Sequence, residues 1–150
     1  MRAPSNLGET GGRSLVLYDG VCVLCSAWFR FVARNDVERK FLFTAIQSDF
    51  GRELAAKLGI DPDNPDTNAA LIDGNVYLYS DSAIAVLSVL PRWQWMRFFF
   101  AVPRPLRDRV YRLIARNRYR FLGRRTVCDL GGAGYADRVI FTTADTSCDA

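Results

Sequence analysis

The chain has 150 residues, is 49% hydrophobic and 24% charged, and carries a formal net charge of +4, which suits one buried core in a globular protein. It contains no histidine, which removes Cys-His proteases, Ser-His-Asp hydrolases, histidine metal sites and C-x-x-C-H haem attachment. Four cysteines, only two of them closely spaced, do not form a secreted disulfide framework. The opening Met1-Arg2-Ala3-Pro4-Ser5 lacks a signal-peptide pattern, so a reducing cytoplasm is the expected compartment.

Residues 1–13 have no periodicity and are expected to be a flexible arm. Ser14 to Tyr18 is an apolar run that reads as a buried strand, and Asp19-Gly20 turns the chain. Cys22-Val23-Leu24-Cys25 then enters a helix, because Cys25, Trp28, Phe29 and Val32 fall at i, i+3, i+4 and i+7. After a strand, this spacing reads as a redox pair. Residues three apart on a helix are displaced by about 4.5 Å along its axis, which fits the window of about 4.4–6.8 Å between the Cα atoms of a disulfide. Cys22 falls at the helix N-cap, where unpaired N–H groups and the dipole favour a thiolate. Cys25, one turn further in, is expected to be more buried. Cys22 is therefore the candidate attacking thiol and Cys25 the candidate resolving thiol. Asp19 is either a proton acceptor for Cys25 or an Asx-turn residue that holds the Gly20 turn.

Phe41 to Ile46 reads as a second strand, and Ser48-Asp49 caps a helix running to about Leu58, with Gly59 as its stop. A polar loop follows at Asp61 to Asp66. Ala69–Ile72 and Val76–Tyr79 flank Asp73-Gly74-Asn75, a hairpin signal. Ser80-Asp81-Ser82 reads as the cap of a third helix, Ala83 to Leu90, closed by Pro91. The predicted order is β-α-β-α-β-β-α, an α/β arrangement of the thioredoxin-like kind with a parallel first pair and an antiparallel hairpin.

Asp19-x-x-Cys22-x-x-Cys25 after a strand, the Asp73-Gly74 hairpin, Ser82-Ala83 opening the next helix and the Ile114-Ala115-Arg116-Asn117-Arg118-Tyr119 segment together resemble the DCC family. These are predicted thiol-disulfide oxidoreductases named for the Asp-Cys-Cys motif, and the resemblance runs from about Leu15 to Cys128. It implies a thioredoxin-like domain over residues 14–130 with a C-terminal helical extension, and redox roles at Cys22 and Cys25. The expected substrate of such a thiol pair is a disulfide-containing protein or a small thiol, a class the resemblance itself does not supply, and no cofactor or metal is expected. The wider thioredoxin class usually has a proline before its third strand; here the matching residues are Thr67-Asn68-Ala69.

Trp93, Trp95, Met96 and Phe98 to Phe100 read first as a core helix packed over the sheet. The alternative is a greasy lip beside the redox pair that binds apolar substrate or a membrane surface. Arg104 to Arg125 holds nine arginines and one acid, Asp108, a segment charge of +8 against −4 elsewhere. Leu106, Val110, Leu113, Ile114 and Phe121 form its apolar face, and Arg109, Arg112, Arg116 and Arg120 line up beside it. That stripe is either a solvated face or a site for an anionic partner, phosphate or lipid. No nucleic-acid motif accompanies it, so nucleic acid is disfavoured, and no apolar run reaches the roughly 18 residues of a membrane span. Cys128 is read as a buried inert cysteine or an extra resolving thiol, Cys148 as exposed and incidental, and residues 131–150 as a flexible tail. Two other functions compete with thiol exchange: a soft-metal carrier holding Cu(I) or Zn(II) on the same thiols, and a redox-inert interaction module.

Overall fold

Alternating apolar residues along Ser14–Tyr18 (β1) feed two separate cores. Val16 and Tyr18 point to one face of the sheet, Leu15 and Leu17 to the other. The structure is a computed structural model that describes residues 13–123 and 138–139. Cys128, Cys148, residues 1–12 and the rest of the C-terminal stretch lie outside the described residues.

Beyond β1 the elements are Val23–Asn35 (α1), Phe41–Ala45 (β2), Asp49–Lys57 (α2), Ala69–Ile72 (β3), Asn75–Leu78 (β4) and Tyr79–Val89 (α3). A 3₁₀ helix, Gln94–Ala101, and a long helix, Arg104–Leu122 (α4), follow. The strands form one sheet in the order β2-β1-β3-β4. β1 and β2 are parallel, whereas β3 runs antiparallel to both β1 and β4. This is the thioredoxin-like α/β arrangement that the order of elements predicts. The β3–β4 hairpin turns at Asp73 (φ 50°) and Gly74 (φ 77°), the pair of left-handed residues that a two-residue turn needs.

One core joins the sheet to α1 and α3 through Phe29, Val32, Phe43, Val86 and Leu90. The Phe29 ring stacks on Tyr18 and meets Phe43 edge-on, each at 4.7 Å between centroids. The other core lies under α2, with Leu42, Leu54, Leu58 and Leu71. α1 thus starts over the C-terminal end of β1, which brings the Cys22 and Asp19 region together.

Three expectations need correction. α3 begins at Tyr79 rather than Ala83, and neither Ser80 nor Ser82 caps it. The Tyr79 N–H donates instead to Thr67 Oγ1 at 2.7 Å, so the cap comes from a loop twelve residues upstream. The aromatic stretch is not a core helix: Gln94–Ala101 has no buried residue, and only Trp93 and Met96 lean on the core. The apolar face of α4 also points outward, with Leu113 63% and Phe121 79% exposed. Its one buried residue is Arg118. Finally, Arg138 and Val139, inside the stretch read as a tail, are both buried. Val139 bridges to Phe43 in parallel, and Arg138 pairs with Asp36. No helix among the described residues is long and apolar enough to cross a membrane.

Candidate active site

The turn after β1 is held from several sides. Asp19 accepts the Val21 N–H at 3.1 Å, which is the Asx-turn geometry. Gln47, just beyond β2, donates to the same carboxylate at 2.7 Å and accepts the Gly20 N–H at 2.9 Å. Ser26 donates to the Gly20 carbonyl at 3.4 Å. These contacts fix where the chain enters α1, and so where the first thiol stands.

Cys22 is the N-cap of α1 in extended backbone, and its Sγ accepts the Cys25 N–H at 3.3 Å. Both cysteines carry free thiols. The Cys22 pKa is lowered to about 7. The largest cause is the hydrogen bond from the Cys25 thiol, with the Cys25 N–H and the Arg118 charge adding to it. Burial and the Asp19 carboxylate oppose the shift. Cys25 is pushed strongly upward, because its thiol donates to Cys22, is buried and faces the Cys22 charge. The pair is therefore asymmetric: one thiol ionises near neutrality while the other keeps its proton. The expected contrast in exposure is absent, since Cys22 is 0% and Cys25 3% exposed.

Behind the pair stands α4. Arg118 Nη1 lies 3.5 Å from Cys25 Sγ, and Nη2 lies 3.4 Å from the Asp19 carboxylate. Nη2 also donates to the Pro65 carbonyl. Burial works against the Arg118 charge, and Cys25, Tyr119 and Asp19 more than offset it. The Tyr119 hydroxyl donates to Asp19, and burial followed by that bond holds its pKa up. A cleft of about 260 Å³ reaches Cys25 between Leu24, Trp28, Tyr111, Ile114 and Arg118.

The structure thus brings Cys22, Cys25 and Asp19 together, as their spacing predicts. It adds Arg118, Tyr119 and Gln47, which carry no assigned role in the sequence reading. Arg118 had a signal available: it interrupts the spacing of the arginine stripe and falls on the α4 face of Tyr111 and Ala115. Gln47 had none beyond its position after β2. The helix terminus is not alone in favouring the thiolate, since the Cys25 thiol and Arg118 also lower the Cys22 pKa.

A C-x-x-C dithiol capping the first helix, on a sheet of this order, defines a small α/β protein built around a cysteine pair. The chain belongs to the DCC1-like thiol-disulfide oxidoreductase family, whose model matches residues 16–124. It is 42% identical over 118 residues to a Bacillus subtilis protein named YuxK, covering 77% of this chain and 85% of that one. It is 31% identical over 132 residues to a chloroplastic DCC family protein of Arabidopsis thaliana, covering 87% of this chain and 77% of that one. No solved structure matches.

Proposed function

We propose that the protein exchanges disulfides through Cys22 and Cys25. The observation that carries this reading is the placement of two free thiols on one helix turn, with Cys22 Sγ at the N-cap accepting the Cys25 N–H at 3.3 Å; this arrangement lowers the Cys22 pKa and raises that of Cys25. The Cys22 thiolate attacks one sulfur of a substrate disulfide, forming a mixed disulfide and releasing a substrate thiolate, which takes up a proton. Cys25 then loses its proton and attacks Cys22 Sγ, releasing the second substrate thiol. Two electrons pass to the substrate, and an external thiol or dithiol must reduce the resulting Cys22–Cys25 disulfide. Asp19, buried beside the pair and bonded to Tyr119 and Arg118, is the proton acceptor for Cys25 in this scheme. Cys22 is enclosed, so the reaction includes a local opening at the start of α1. The scheme suits a reducing compartment such as the cytoplasm; the plant relative's own name gives the chloroplast.

Equilibration in graded thiol-disulfide buffers, with free thiols trapped for mass spectrometry, tests the reading. A reversible Cys22–Cys25 disulfide with a potential between about −270 and −120 mV is expected. Cys22→Ser abolishes turnover of a model disulfide, and Cys25→Ser accumulates the mixed disulfide. Full activity in Cys22→Ser, or no reversible disulfide in the unaltered chain, overturns it.

A further inference from the structure

The outward side of α4 and the 3₁₀ helix presents an apolar surface that thiol exchange does not account for. Trp95, Phe98, Phe99 and Phe100 of the 3₁₀ helix are all exposed, Phe98 by 68%. On α4, Leu106, Val110, Leu113, Ile114 and Phe121 are each more than half exposed. At 3.6 residues per turn these five fill an arc of about 100°. Arg109, Arg112, Arg116 and Arg120 occupy the adjoining arc, all exposed. The third arc, with Tyr111, Ala115 and Arg118, faces the site. α4 therefore buries a polar face against its own protein and turns an amphipathic one to the outside.

The surface is continuous with the redox cleft. Ile114 and Trp28 both line that cleft. From Trp28 the rings run through Phe31 (6.0 Å), Trp93 (5.3 Å) and Trp95 (6.2 Å) to Phe99 (6.0 Å). On its other flank, Arg109, Arg112, Arg116 and Leu113 line an open groove of about 680 Å³, at one end of which Arg104 pairs with Asp108. Charge complementarity selects the occupant. A second copy would bring two segments of charge +8 together. Aromatic rings and leucines beside a row of arginines suit the boundary between acyl chains and phosphate headgroups, where arginine stems lie along apolar surface and guanidinium groups pair with phosphate.

We infer that this face docks on the surface of an anionic lipid bilayer, with the apolar arc and the 3₁₀ aromatics in the outer acyl region and the arginine groove on the headgroups. Docking in this pose holds the mouth of the Cys25 cleft at the lipid–water boundary. The inference is independent of the thiol reading, because binding is measured without thiol chemistry.

The test is co-sedimentation of the full chain with vesicles of phosphatidylglycerol and phosphatidylcholine against vesicles of phosphatidylcholine alone, with tryptophan emission followed in parallel. At least about tenfold tighter binding to the anionic vesicles is expected, with a blue shift and loss of binding as salt shortens the screening length. Phe98→Ser/Phe99→Ser and Leu113→Asp abolish binding to the anionic vesicles. Arg109→Glu/Arg116→Glu/Arg120→Glu removes the preference for them. All these positions are exposed, and circular dichroism checks that each variant keeps its helices. Three results overturn the inference: no binding to anionic vesicles, equal binding after charge reversal, or a lipid-free dimer that Leu113→Asp dissociates, which would give the face to a second copy.

Discussion

Arg118 reaches the cysteine pair from 93 residues along the chain and places one cation against both a thiol and a carboxylate. Its charge favours the Cys22 thiolate, whereas Asp19 disfavours it. The two side chains should therefore move reactivity in opposite directions. With the Cys22 pKa near 7, about half the protein carries the thiolate at pH 7, and alkylation slows about fivefold over the first unit below that pH and about tenfold per unit beyond it. Arg118→Met raises the pKa; a rise of one unit cuts the thiolate at pH 7 about fivefold. Asp19→Asn lowers it and moves the alkylation profile toward acid. Iodoacetamide rates between pH 5 and 9 check both, and Arg118→Lys should recover part of the loss by restoring the charge. Profiles that coincide with that of the unaltered chain would remove Arg118 and Asp19 from the electrostatics of the pair.

α2 illustrates how tightly the elements set one another. Ser48 caps it by accepting the Gly51 N–H at 3.0 Å while donating to the Ala45 carbonyl at 2.8 Å. A Cβ on Gly51 would stand 1.8 Å from that carbonyl oxygen, a backbone atom that cannot swing away. Gly51→Ala is thus expected to cost about 1–3 kcal/mol of overpacking, a loss of several degrees in Tm at this chain length; thermal melts followed by circular dichroism measure it. The Ser48 cap was legible because its partners are local. So were β1, the N-cap at Cys22 and the Asp73-Gly74 turn, each set by neighbours within a few residues. The α3 start was not, since its cap is Thr67, reached only once the hairpin has folded. Periodicity likewise divided α4 into faces without saying which one docks. The buried arc is not the leucine arc but the one whose Arg118 and Tyr119 can satisfy Asp19. The site was half legible for the same reason: its motif is local, and its cation and hydroxyl are not.

At the scale of the molecule, the chain closes on itself at the edge opposite β4. Asp36, at the C-cap of α1, accepts the Lys40 and Phe41 N–H groups at 3.0 and 2.9 Å. Arg138 comes in from 102 residues away to pair with that carboxylate. It also donates to the Ala33 carbonyl at 3.0 Å and lies over the Phe43 ring at 5.4 Å. The next residue, Val139, bridges to Phe43 and joins the core under α1. The two charged side chains are only 4% and 3% exposed, so neither is well solvated once the other is gone. Arg138→Met should therefore cost about 3–5 kcal/mol, the usual penalty for stranding one partner of a buried pair. Asp36→Asn/Arg138→Met should recover part of it, because no carboxylate is then left uncompensated. Urea midpoints of the three chains measure this coupling. The Arg138 tie also acts at the end of α1 remote from Cys22, so alkylation of Cys22 in the folded Arg138→Met variant should keep its pH profile. A shifted profile would mean that the β2 edge and the redox pair are mechanically joined through α1, whereas an unchanged midpoint would mean that the C-terminal stretch does not secure the fold.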